Sequence, residues 1–313
     1  MFKSLITFMS LFFTLLSFGQ TREIESEVLN IIPETRIRIN GPAKVDFNSR
    51  RPLRVVFYAL PNGNSIEQTA GKVMEPGDDW HFDIQHIAAQ TRQIRKLDKS
   101  YNYVVVYLES KMKAWTSYAA KYESSGVLFK NLVDSTLSLV SNMYDGQLVE
   151  DIIISGHSGG GRFMLNYLTS DSRIDDRVRK ISFIDSNYGY ETSSHAPLLA
   201  EWLKRDKRNK LLVLAYVDTT VVLNGKRIVS SKGGTGYRSR LMVSDLEDLG
   251  FKFKERADTT FKQFSDKCGQ IAVSIKENPT GQIYHTVLVR RNGFILGVLY
   301  EDAKSFTRLG YWE

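Results

Sequence analysis

The stretch Glu150–Leu168, EDIIISGHSGGGRFMLNYL, decides how the rest of the chain is read. A β-rich apolar run, DIIIS (Asp151–Ser155), meets a histidine, a serine and a cluster of glycines, and a helix-like pattern opens at Arg162. Gly156-His157-Ser158-Gly159-Gly160 satisfies G-x-S-x-G between a strand and a helix, the context in which that motif holds a nucleophile on a sharp turn. The chain must reverse there. Side chains two residues before and after the serine would collide, and glycine removes them. The Ser158 Oγ is then held above the sheet edge, with the Gly159 N–H at the helix start facing a developing oxyanion. Two other readings compete. Gly156 and Gly161 fit the outer glycines of a phosphate loop, but Arg162 and Phe163 stand where a lysine and a hydroxyl residue belong. The plainer rival is a glycine-rich strand–helix turn with an inert serine.

Working outward, further β-rich runs are RVVFYAL (Arg54–Leu60), YVVVYL (Tyr103–Leu108), KISFID (Lys180–Asp185), KLLVLAYV (Lys210–Val217) and QIAVSI (Gln270–Ile275). Most are continuously apolar, as strands covered on both faces are. Amphipathic segments alternate with them, at roughly Phe82–Leu97, Val127–Met143, Arg162–Leu168, Ala196–Lys204 and Arg238–Leu249. This alternation predicts an α/β fold with a mostly parallel, doubly wound sheet and helices on both faces. Ahead of it, TRIRIN and AKVDF flank a Gly-Pro and predict an antiparallel hairpin.

A nucleophilic serine needs a base, and for this motif the chain order is Ser, acid, His. There are five histidines. His81 and His86 come too early, His157 lies inside the turn, and His195 precedes a later strand. His285, in NPTGQIYHTVLV, follows the last strand-like run, where a loop returns to the edge that carries Ser158. Two aspartates end strands on that edge: Asp218 in AYVDTT and Asp185 in IDSNYG. Asp218, after the penultimate strand, is preferred, and Asp185 is the alternative. Either could instead be a loop carboxylate that caps a helix. A second oxyanion donor should come from the loop after RVVFYAL. PNGN (Pro61–Asn64) stands there, so Gly63 and Asn64 are the candidates, although Pro-Asn-Gly equally suits an ordinary surface turn.

IIISGHSGGG, a downstream aspartate and YHTV together resemble the α/β-hydrolase superfamily of serine hydrolases, over about Arg54 to Leu299. LPNGNSIEQTAGK, FIDSNYGY and GGTGYRSR are similar to a bacterial exported subgroup. The resemblance implies a nucleophile at Ser158, a base at His285 and an oxyanion donor at Gly159. One departure is that Asp218 abuts its strand directly, where many relatives have a short G-x-x-D turn.

The first nineteen residues read as a secretory signal peptide. Lys3 is followed by an apolar run from Leu5 to about Leu16, with Ser17 and Gly19 at the small positions of a cleavage site. The run is short for a span of ~20 residues. Residues 20–313 are expected to form one hydrolase domain without a further membrane span, in the periplasm or outside the cell. The single cysteine, Cys268, allows no internal disulfide, and no Cys/His cluster has zinc spacing. Net charge is +7, but the densest basic cluster, KRDKRNK (Lys204–Lys210), has no interleaved aromatics and reads as a solvated helix end. Nucleic acid is therefore not an expected partner. No metal or organic cofactor is expected, and the substrate is expected to be a small-molecule or glycan ester. The competing function is a non-catalytic binding or scaffold protein on the same fold. Trp80 and Trp115 are candidates for lining an acyl or sugar site, or for packing. The segment from Thr219 to Arg238 reads as a hairpin near the pocket or an exposed insertion.

Overall fold

The computed structural model describes residues 22–311, so the expected signal peptide lies outside the described residues. Along the chain run β1 (Glu23–Leu29), β2 (Thr35–Pro42), β3 (Leu53–Ala59), α1 (Ile66–Ala70), α2 (Ile87–Leu97), β4 (Asn102–Ser110), α3 (Trp115–Lys121) and α4 (Ser125–Met143). Then come β5 (Val149–His157), α5 (Gly160–Leu168), β6 (Val178–Ile184), α6 (Thr192–Arg205), β7 (Lys210–Tyr216) and the short hairpin β8 (Val222–Leu223) and β9 (Lys226–Arg227). The rest is α7 (Thr235–Asp248), β10 (Phe253–Ala257), β11 (Phe261–Asp266), β12 (Ile271–Lys276), α8 (His285–Arg290), α9 (Gly293–Leu299) and α10 (Ser305–Arg308).

All strands except the small hairpin join one ten-stranded sheet, in the order β1-β2-β4-β3-β5-β6-β7-β12-β11-β10. The central strands β4, β3, β5, β6, β7 and β12 are parallel. Antiparallel pairs extend both flanks. The central apolar runs are apolar because both faces are covered. In β3, Leu53, Val55, Phe57 and Ala59 enter one core, while Val56 and Tyr58 enter the other. Ile152 and Ile154 of β5 likewise oppose Ile153. This is the expected doubly wound architecture. Its strand order reverses between β4, β3 and β5, and crevices at such switch points are where open α/β sheets bind ligands.

Two local expectations change. TRIRIN does form β2, but its hairpin partner is Glu23–Leu29, with Ile24 opposite Gly41 and Val28 opposite Ile37. Gly41 and Pro42 continue the strand, and AKVDF becomes a turn in which the Asp46 and Phe47 amides bond back to Ala43. The Asp46 carboxylate then holds the Arg22 amide at 2.8 Å, which fixes the start of β1. The segment from Phe82 is broken by His86, whose φ of 48° interrupts the helix, so α2 begins only at Ile87.

Trp115 is a packing residue. It is fully buried, edge-on to Phe129 at 5.3 Å and Phe163 at 4.9 Å. Trp80 is 64% exposed on the loop after β3 and stacks on His81. No helix among the described residues is long and apolar enough to cross a membrane.

Candidate active site

β5 ends at His157 and α5 starts at Gly160, which leaves Ser158 to make the reversal with φ at +53°. A serine in that left-handed region is costly and is kept only where its surroundings hold it. The flanking glycines are required by neighbouring main chain. A Cβ on Gly160 would stand 2.2 Å from the Ala59 carbonyl, and one on Gly161 only 1.5 Å from that of Ser186. The elbow is thus wedged between the end of β3 and the loop after β6. The Gly159 N–H takes no backbone partner among the described residues, and it sits at the positive end of α5.

The structure brings Asp185 to His285. Asp185 follows β6, is fully buried and has φ at +46°, with its own N–H bonded to the Leu214 carbonyl at 2.7 Å. Its Oδ2 accepts from His285 Nδ1, and its Oδ1 accepts from the Thr235 hydroxyl. Tyr188 donates weakly to Oδ2 at 3.5 Å, and burial, then the Asp185 charge, keeps that phenol protonated. With Nδ1 donating to a carboxylate, His285 presents an unprotonated Nε2 when neutral. The ring is a quarter exposed, so one side of it faces outward.

Asp218, the preferred acid from sequence, is buried nearby but bonds elsewhere. Its Oδ2 accepts from the Thr235 amide at 2.9 Å, and its Oδ1 has no partner among the described residues. Burial first, then the Asp185 charge, pushes its carboxyl up to about 6. Thr235 therefore serves both aspartates, its hydroxyl on one and its amide on the other.

Gly63 has the turn conformation that sequence expected, with φ at +81°, but its N–H already donates to the Lys113 carbonyl at 2.8 Å. Asn64 is buried, and its side-chain amide nitrogen has no partner among the described residues. The residue of this loop that lies against the elbow is Asn62. A Cβ built on Gly159 would meet its Oδ1 at 1.9 Å. The Asn62 N–H, unlike that of Gly63, has no backbone acceptor among the described residues. Pro-Asn-Gly signalled the turn but not which amide the turn would consume.

Sequence places His157 inside the turn, beside Ser158. It is fully buried, and its Nε2 donates to the His285 main-chain carbonyl at 3.0 Å. Its Nδ1 takes the Gln85 amide at 3.2 Å, and Gln85 in turn accepts from Tyr58 at 2.6 Å. Burial, then the neighbouring His285, holds the His157 ring well below its ordinary pKa, so it stays neutral. The elbow thus grips the backbone of the histidine paired with Asp185.

No family model matches the chain, and no curated protein matches it. Solved structures do. The feruloyl esterase module from Clostridium thermocellum, complexed with sinapinate, aligns over 97% of this chain and 96% of its own, with a TM-score of 0.55 at 10% identity. A thermostable esterase aligns over 91% of this chain and 62% of its own, with TM-score 0.48 and 16% identity. A siderophore hydrolase from Aspergillus nidulans aligns over 91% and 98%, with TM-score 0.45 and 10% identity. The first of these likenesses, with the strand order above, establishes an α/β-hydrolase fold.

Proposed function

We propose that this α/β-hydrolase-fold chain is a serine hydrolase that cleaves a carboxylic ester through Ser158, His285 and Asp185. The observation that carries the reading is the Asp185–His285 bond beside a serine held at positive φ on a strand–helix elbow. Ser158 Oγ attacks the ester carbonyl while His285 Nε2 takes its proton. The oxyanion is received by the Gly159 N–H and the Asn62 N–H. Imidazolium then protonates the departing alcohol, and water releases the acyl group by the same steps in reverse. Asp185 keeps the proton on Nδ1 and stabilises the imidazolium.

The loops after the parallel strands expose apolar side chains on the same edge: Trp80, Met112, Leu223 and Ile283. They favour an ester with a hydrophobic or aromatic part, whether a small molecule or a substituent on a glycan. The reading includes export, with residues 1–19 removed and 20–313 acting as one domain. A fluorophosphonate probe tests the activity directly, because it phosphonylates only an activated serine. Stoichiometric labelling at Ser158 is expected. Intact protein without label would instead leave a non-catalytic binding protein on the same fold.

A further inference from the structure

The opposite edge of the sheet holds a different arrangement. Because β3, β5, β6 and β7 are parallel, their first residues share the edge farthest from Ser158. There Arg54 pairs in register with Asp151, and Lys180 with Lys210. A cavity of about 630 Å³ opens among them, closed on its other sides by the Lys207–Arg208 turn and the C-terminal segment at Glu301 and Arg308. That volume is in the range of small-molecule sites. We propose that this cavity binds a phosphate-bearing small molecule.

Charge carries the first part of the argument. Seven cationic side chains line the cavity against three carboxylates. Two of the carboxylates are already used. Asp151 holds Arg54 at 2.5 Å and Arg179 at 3.5 Å. Asp98 accepts from the Tyr103 hydroxyl at 2.5 Å and the Ser100 amide at 2.7 Å. The third, Glu301, is 62% exposed and stands 3.8 Å from Lys180.

The positive groups left over are mostly lysines. Lys210 Nζ donates to the carbonyls of Gly269 at 2.9 Å and Glu301 at 3.0 Å. Among the described residues Lys207 reaches only the Gln270 amide oxygen at 3.5 Å, and Arg308 only the Ser305 hydroxyl at 3.3 Å. Lys180, 3% exposed, holds the Val298 and Tyr300 carbonyls, each at 2.6 Å. Burial pulls its ammonium down to about 7, a cost that an anion beside it would offset.

Ligand shape decides the chemical class. A planar carboxylate is best held by a free guanidinium fork, and here Arg54 and Arg179 are engaged by Asp151 and Arg208 by Asp206 at 2.7 Å, which leaves the exposed Arg308 as the one such group beside three lysines. Ammonium groups act as point charges and suit a tetrahedral dianion approached from several directions. The cavity exceeds what a bare phosphate needs, so the phosphate group is carried on a larger body or is one of several. The KRDKRNK cluster, which reads in sequence as a solvated helix end, supplies one wall.

The experiment is isothermal titration of the whole protein at constant ionic strength with inorganic phosphate, pyrophosphate and glucose 6-phosphate, with sodium chloride as the control. Saturable binding at one site is expected for at least one phosphate, with Kd of about 1 mM or tighter. Lys210→Gln with Arg308→Gln should weaken it by about tenfold or more, since two charge-assisted contacts are lost. Lys207→Gln with Arg308→Gln, both exposed, is a second variant that spares the interior and should weaken it in the same direction. Fluorophosphonate labelling of Ser158 should be unchanged in each, which separates this site from the esterase reading. A preference among the three phosphates tells a free anion from an organic one. Absence of saturable binding by all three, or affinity unchanged from wild type in both variants, overturns the proposal.

Discussion

At the carboxyl edge of the sheet two aspartates are fully buried, and hydroxyls, an amide and an imidazole hold them. At the amino edge lysines and arginines outnumber the carboxylates around an open cavity. The helices run back against the strands, so their N-termini lie at the first edge and their C-termini at the second. Helix N-termini favour negative charge and C-termini positive charge. Three helices follow that bias: α5 presents its first amides beside Ser158, while α2 ends in Arg95 and Lys96 and α6 in Lys204 and Arg205; α7, which ends in Glu247 and Asp248, does not. One sheet therefore offers an edge suited to a transient oxyanion and an edge suited to a permanent one.

Three results would break or sharpen that contrast. The largest effect belongs to Ser158→Ala, which should lower p-nitrophenyl ester turnover on the order of 10⁶-fold while leaving the thermal midpoint nearly unchanged. Residual turnover within tenfold of wild type would place the nucleophile elsewhere.

Next come the two aspartates. Asp185→Asn should slow single-turnover acylation on the order of 10⁴-fold, because the imidazole loses its tautomer and its counter-charge. Asp218→Asn should slow it by less than about tenfold, an effect under ~1.4 kcal/mol. The reverse ranking would return the acid role to Asp218.

The third test is a pH dependence of stability. The Asp218 carboxyl is raised to about 6 in the fold, by burial and then by Asp185. An unfolded aspartate ionises near ~3.9, so the folded form holds this proton more tightly. Its contribution to stability is complete below about pH 4 and is lost as pH rises through about 6. The loss is bounded at about 3 kcal/mol by the difference in pKa. Denaturant midpoints at pH 4 and pH 8 should therefore diverge less in Asp218→Asn than in wild type, and equal divergence would show that Asp218 does not titrate this way.

The elbow and the strand–helix order were legible in sequence because both rest on local signals. Glycines at 156, 159, 160 and 161 mark a reversal, and continuous apolar runs mark strands with two covered faces. Which aspartate meets His285 was not legible. Asp185 and Asp218 both end strands on one edge, and what separates them is the left-handed backbone at Asp185 and the path of the chain from β12 to His285. Neither is written in neighbouring residues. The same holds for PNGN, where the Lys113 carbonyl, fifty residues later, consumes the Gly63 N–H. Gly-Pro is a turn signal in sequence, yet at the end of β2 it simply continues the strand to a position opposite Glu23.

The bond between Asp185 and His285 joins residues 100 positions apart. Chains emerge from the ribosome N-terminal part first. When β7 has been made, Ser158 and Asp185 exist, but His285 does not. β12 must still dock in parallel beside β7 before α8 can bring the ring home. On the proposed reading, hydrolytic competence is therefore a late event in the life of the chain. On that reading a nascent or truncated molecule carries an unarmed serine, and recovery of turnover after denaturation would report that the last central strand has been placed, not merely that the chain has collapsed.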